Sequence, residues 1–219
     1  MEYATNRGRI IIPELLDNLS PDDIRAIQSR RELHWINQLM GNERWILSQL
    51  RRHHTTLDQH IVEWGAGDGY LCSKIHQRHP QVQVTGVDLI SRPKSLSTKI
   101  GWLTGNFLEM KVPTNPKVIV ANLFLHHLTD DQLQECVTWF HTASMLIINE
   151  PLRKNSSHFW GRLLDPFLGD VTRHDMHASI NAGFRKGELS RLWSVIKHEW
   201  VIEEWEHWPG AYRSVWRRK

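Results

Sequence analysis

The stretch Ile61-Val62-Glu63-Trp64-Gly65-Ala66-Gly67-Asp68-Gly69-Tyr70 decides how this chain is read. A short apolar run suited to a buried strand passes into a loop with glycine at every second position, and Tyr70–Arg78 beyond it reads as a helix. Glycine allows a tight turn and close approach of the backbone to a ligand. The free amides at a helix start then favour an anionic group.

Outward from this loop, strands and helices alternate. Strands are expected at Gln59–Glu63, Val82–Val87, Ile100–Thr104, Val118–Ala121 and Met145–Ile148. Between the last two, Thr129 caps a helix running to His141, with Gln132 placed for a capping box. Apolar strands separated by helices predict a parallel sheet covered on both faces, with ligands at the carboxyl ends of its strands. The last third departs from this rhythm. Ser157–Phe167 and Glu188–Ile196 read as helices, and Gly169–Ala182 as a polar loop. Glu199–Glu204 and Ala211–Val215 alternate in pattern around His207-Trp208-Pro209-Gly210, a hairpin signal.

Residues before the first strand read as helical. Pro13-Glu14-Leu15-Leu16-Asp17 forms a short amphipathic turn. Ser20 is the expected cap of a helix to Met40 that begins at Pro21 and stops at Gly41, and Asn42 the expected cap of a second helix through Arg52. The chain therefore divides into a helical extension, 1–57, and an α/β domain, 58–219.

Composition sets limits. The 219 residues carry 27 basic and 24 acidic side chains, a formal charge of +3, too balanced to require a nucleic-acid partner. The cluster Arg217, Arg218 and Lys219 reads as a solvated tail. Two isolated cysteines, Cys72 and Cys136, fit a reducing cytoplasm and no disulfide framework. The amino terminus is too polar for a signal peptide, and no segment approaches the roughly 18 apolar residues of a membrane span. Eleven tryptophans serve either core packing or an aromatic-walled pocket.

An acidic residue followed by G-x-G-x-G, here Glu63 with Gly65, Gly67 and Gly69, resembles the first motif of class I S-adenosylmethionine (SAM)-dependent methyltransferases. A dinucleotide fingerprint would place its third glycine at 70, where the chain has Tyr. The resemblance implies a Rossmann-like seven-stranded sheet, mostly parallel, that ends in an antiparallel hairpin. It implies SAM as cofactor, held by Glu63, Gly65, Ala66, Gly67 and Gly69. Asp88, at the end of the second strand with Leu89 beside it, would accept the ribose hydroxyls, a role the glycine loop upstream favours over that of a turn residue at a strand end. Asn106, where the family often has Asp, and the Phe107 amide would meet the adenine, and the backbone around Asn122 and Leu123 the methionine part. The amino-terminal helices would act as a lid, with Arg30, Arg31 and Trp35 toward the pocket, or simply as packing.

Methyl transfer needs an acceptor held close to an already activated carbon, and positioning of this kind supplies on the order of 7–11 kcal/mol. A hydroxyl acceptor also needs a base. The candidates are His126, His127, Glu150 and His174 among 14 histidines. His174 is expected on a loop covering the acceptor, and Asp175, adjacent in sequence, is poorly placed to orient it. No metal is expected: Asn122, Asn149 and Glu150 offer a single charge to a hard cation, and His174 with His177 are too few for zinc.

His174-Asp175, Ser179, Phe184 and Gly187-Glu188-Leu189 also resemble a group of bacterial small-molecule methyltransferases. That implies O-methylation of a hydroxylated metabolite such as a phenol. Asn122-Leu123-Phe124-Leu125 lacks the prolines of base-amine methyltransferases, and Cys136 falls on an apolar helix side rather than in a pocket loop. An RNA or protein methyltransferase, and a SAM-fold binding protein without activity, remain the alternatives. Oligomeric state is open.

Overall fold

A computed structural model describes residues 8–20, 22–53, 60–110, 116–194 and 196–219. Seven strands form one sheet: β1 (Ile61–Trp64), β2 (Val84–Asp88), β3 (Gly101–Thr104), β4 (Val118–Asn122), β5 (Met145–Pro151), β6 (Trp200–His207) and β7 (Ala211–Arg218). Their order is β3-β2-β1-β4-β5-β7-β6. The first five are parallel, and β7 is antiparallel to both β5 and β6. The expected sheet and its terminal hairpin are both present. Gln59, Pro21 and the boundary near residue 57 fall outside the described residues.

The strand sequences explain the layering. In β4, Val118 and Val120 point to one face and Ile119 and Ala121 to the other; in β5, Met145 and Ile147 oppose Leu146 and Ile148. Every one of these side chains is buried, as a sheet covered on both faces requires. Helices α2 (Asn42–Arg52) and α3 (Tyr70–Arg78) cover the first face through Ile46, Leu50, Leu71 and Ile75. Helices α4 (Asp130–Glu135) and α7 (Glu188–Leu192) cover the second, where Trp64, Trp139, Phe140, Trp193 and Trp216 form the aromatic heart of the core. Cys136 is buried there too.

Three helices stand over the carboxyl ends of the strands: α1 (Ile24–Met40), α5 (Asn155–Leu164) and α6 (Asp170–Ala182). Helix α6 corrects the loop expected at 169–182. Its polar residues hid a helix because two of them are buried for bonding: Thr172 donates to Ser29 of α1 (3.0 Å), and Asp175 accepts the amides of Leu15 and Leu16. Other boundaries shift. Asp23, rather than Ser20, caps α1 by accepting from the Arg25 amide. Gly41, left-handed at φ 66°, joins α1 to α2, and Asn42 is the first residue of α2 with no side-chain cap. The Thr129–Gln132 capping box is present, but α4 tightens into a 3-10 helix at Cys136. Helix α5 likewise gives way to a 3-10 turn at Asp165, and α7 stops at Leu192 rather than Ile196. Among the described residues no helix is long and apolar enough to cross a membrane.

Candidate functional site

The glycine loop follows β1 as expected. Gly65, Gly67 and Gly69 all take positive φ (63°, 55° and 73°), a region open to glycine and costly for other residues. A Cβ on Gly65 would lie 2.2 Å from the Phe124 ring, whereas one on Gly67 would meet nothing within 4 Å. The Gly67 side of the loop is therefore open to a ligand. Asp88 stands beside it. One carboxylate oxygen accepts the Gly67 amide (2.7 Å) and the other the Ile90 amide (3.1 Å), which fixes the group and leaves lone pairs on both oxygens. Leu89 and Ile90 are exposed next to it.

Glu63 lies beneath the loop, buried, and accepts the Cys72 thiol (2.9 Å). Burial pushes its carboxyl up to about 8, from 4.5. Between those two values the folded chain holds a proton that the unfolded chain has released. This contribution to stability is full below about pH 4.5 and is lost as pH rises to about 8. Urea denaturation across that range is expected to show wild type losing stability relative to Glu63→Gln as pH rises. Parallel profiles would contradict the assignment.

Asn106 is engaged in its own turn, donating to Glu109 (2.7 Å) and accepting from Leu108 (3.2 Å), and Phe107 is buried against Trp64, Phe124 and Trp139. At the end of β4, Asn122 accepts from Asn149, which in turn accepts from Arg213. The carboxamides at the ends of β4 and β5 are thus tied to each other. Leu123 is the sole non-glycine at positive φ (55°) among the described residues. Such strain persists where surrounding structure enforces it, often at functional positions.

Leu123 also opens onto a cavity of about 270 Å³ between α1, α5 and α6. Its walls are mostly apolar, with Leu33, Ile36 and Met40 from α1, Trp160 and Leu164 from α5, and Met176 and Ile180 from α6. Arg30, Arg31 and Trp35 do not line it; the α1 face carrying Leu33 and Ile36 does. Trp160 does line it, whereas Trp64, Trp139, Trp193, Trp200 and Trp216 are core.

One wall of the cavity is polar: Glu14, His126, His127 and Ser179. His126 is buried, and its Nδ1 lies 2.7 Å from Glu150, a fully buried carboxylate that also accepts the Phe124 (2.9 Å) and Leu125 (2.7 Å) amides. Its Nε2 lies 3.5 Å from Glu14. Burial opposes a charge on His126, yet Glu14 and Glu150 on either side hold its pKa up to about 9. His127 is shifted down, by desolvation and by its positive neighbour. The carboxyl of Glu14 is held low: burial works against this, but His126, His127 and a hydrogen bond from Ser179 prevail.

His174 is not among the lining residues. It is exposed on α6, and its Nδ1 lies 2.9 Å from Asp175, so adjacency did not prevent that pairing. His177 is paired with His158 (2.9 Å) and Asp165 (3.3 Å). Glu14 was read from the sequence only as part of a short amphipathic turn. It arrives on an amino-terminal strap anchored at both ends. Asp175 holds the amides of Leu15 and Leu16, and Arg9 reaches the carbonyls of Leu125, His126, Leu128 and Ala182. Nothing local to Pro13–Asp17 announces a site, because the partners lie more than 100 residues away.

No protein-family model matches the chain. The malonyl-[acyl-carrier protein] O-methyltransferase of Anoxybacillus flavithermus is 26% identical over 128 residues, which are 56% of this chain and 44% of that enzyme. The chain thus matches less than half the length of that relative. The solved structure of the plantazolicin methyltransferase BamL, in complex with a triazolic desmethylPZN analog and SAH, aligns with a TM-score of 0.73 over 90% of this chain and 92% of its own, at 12% identity. Human N-acetylserotonin methyltransferase in complex with SAM aligns at 0.57 over 92% of this chain and 61% of its own, at 14% identity. The strand order, the glycine loop after β1 and these likenesses agree: the chain has the Rossmann-like fold of the class I methyltransferases.

Proposed function

We propose that the protein transfers a methyl group from SAM to a hydroxyl of a small, largely apolar acceptor, with phenolic metabolites as the leading class. The observation that carries this is the cavity beside Leu123, apolar over most of its wall and ending in Glu14, His126 and His127. At about 270 Å³ it sits near the small end of ligand pockets, about 300–1,000 Å³, a size suited to a compact ring system rather than a polymer. The cofactor lies over Gly65–Gly69. Asp88 accepts the ribose hydroxyls, exposed Leu89 and Ile90 offer apolar contact to the base, and Asn106 and Phe107 flank it. The backbone at Asn122 and strained Leu123 borders the sulfonium.

In the reaction the acceptor oxygen attacks the methyl carbon as the carbon–sulfur bond breaks, and the electron pair leaves with sulfur to give S-adenosylhomocysteine (SAH). The acceptor proton passes to His127, whose lowered pKa leaves its imidazole neutral, while Glu150 holds His126 in place. Apolar walls exclude water while this occurs. A polyanionic acceptor is disfavoured because Arg217 and Arg218 are paired, with Glu203 (2.6 Å) and Glu199 (2.9 Å). Calorimetry with SAM and SAH, followed by methyl-labelled SAM and a panel of phenols, tests the reading. Binding of both nucleosides and labelled phenol ethers are expected. No binding of either nucleoside would overturn it, and label appearing only in RNA or protein would overturn the acceptor class.

A further inference from the structure

The geometry points to a divalent transition-metal site formed by Glu14, His126 and His127 on the wall of the acceptor cavity. Each offers one ligand atom, and the three atoms lie within 4.8 Å of one another. Two nitrogens and one carboxylate oxygen are a donor set suited to zinc or another first-row ion, with positions left open for a further ligand.

The contact between His126 and Glu14 is a long ion pair whose spacing also suits two ligands of one ion. Glu150 accepts from Nδ1 at 2.7 Å, so the Nδ1 proton is accounted for and Nε2 is directed at Glu14. At 3.5 Å, that second contact is too long for an N–H···O bond, which spans about 2.7–3.2 Å. It is close to the ligand-to-ligand edge of a tetrahedral site, about 3.3–3.4 Å for metal bonds of about 2.0–2.1 Å. A histidine that binds metal through one nitrogen typically gives its other N–H to a carboxylate, the part Glu150 plays here, itself anchored by two backbone amides. Ser179 supports Glu14 in the same way.

Charge favours a cation at this point. Asp17 and Glu150 lie close to Glu14 and the two histidines, and Asp17 has its carboxyl pushed up by burial and by Glu14 and Asp175. Arg9 is nearby, but its guanidinium is occupied by four backbone carbonyls and Asp130. The ion would hold the acceptor's oxygen at its open position and lower that oxygen's pKa, so that with metal bound the acceptor would enter already ionised and none of the three ligands would take its proton. This use of the ion rests on the proposed methyl transfer; the site itself does not.

The test uses the full chain, stripped with chelator and titrated with Co²⁺ by visible absorption and with Zn²⁺ by calorimetry. Saturation at one ion per chain is expected, with affinity falling by more than about 100-fold in both Glu14→Gln and His127→Ala. Glu14 lies on the strap and His127 is open to the cavity, so thermal melts in chelator establish that both variants fold. Absence of saturable binding to wild type overturns the proposal, as does wild-type affinity retained in both variants, which would report surface histidines. SAH is titrated into the same samples: SAH binding without metal binding sinks the site and leaves the methyltransferase reading, and metal binding without SAH does the reverse.

Discussion

Glu150→Ala is expected to destabilise the protein by about 3–5 kcal/mol, the usual consequence of removing one partner from a buried charged pair. Glu150 is fully buried and touches no solvent. Its two oxygens serve the Phe124 and Leu125 amides and the His126 ring, all where the chain leaves β4. Alanine would leave these donors without an acceptor and a buried imidazole without its counter-charge. Each buried donor left unsatisfied costs about 1–3 kcal/mol on its own. Glu150→Gln keeps an oxygen for the two amides but brings an NH₂ toward Nδ1–H, so it should fall between wild type and alanine. Urea denaturation at one pH measures all three. A loss below about 1 kcal/mol in the alanine variant would mean that the turn after β4 is held by something else.

Asp88→Ala is the second large effect, and it falls on ligand affinity. The side chain fixes the glycine loop through the Gly67 amide and the end of β2 through the Ile90 amide, and in the proposed complex it also accepts the ribose hydroxyls. Loss of those bonds is worth about 1–3 kcal/mol, or about 5- to 150-fold in the dissociation constant for SAH. Because Asp88 is only partly buried, stability should change much less than affinity. SAH affinity equal to wild type would remove Asp88 from the nucleoside site.

These two residues show how far the sequence could be read. Asp88 and the glycine loop belong to one contiguous strand-loop-helix-strand unit, so their juxtaposition follows from local pattern and the right-handed crossover of parallel strands. Glu150 was visible as a polar residue at the end of a strand, but its partners at 124–126 follow only from the pairing of β4 with β5. The cavity beside Leu123 was not legible. Its walls come from α1, α5, α6 and the strap, and nothing in local periodicity sets how those segments meet. Helix α6 was misread for the same reason: Thr172 and Asp175 are polar by composition and buried by tertiary contact. Leu123 was marked in the sequence only by its place after the fourth strand; its left-handed backbone follows from tertiary structure and not from its residue type.

Strand β7 is the last of the sheet in chain order, yet it lies between β5 and β6. During synthesis, therefore, β5 must wait with one whole edge unpaired until residues 211–218 have left the ribosome. An exposed row of backbone donors and acceptors on so apolar a strand is a template for pairing between chains. Arg213, whose guanidinium ties β7 to the Met40 carbonyl of α1 and to Asn149 of β5, then fastens the earliest helix and the latest strand together in one closing step. Chains interrupted anywhere before Ala211 should accumulate as aggregates rather than as a smaller soluble core.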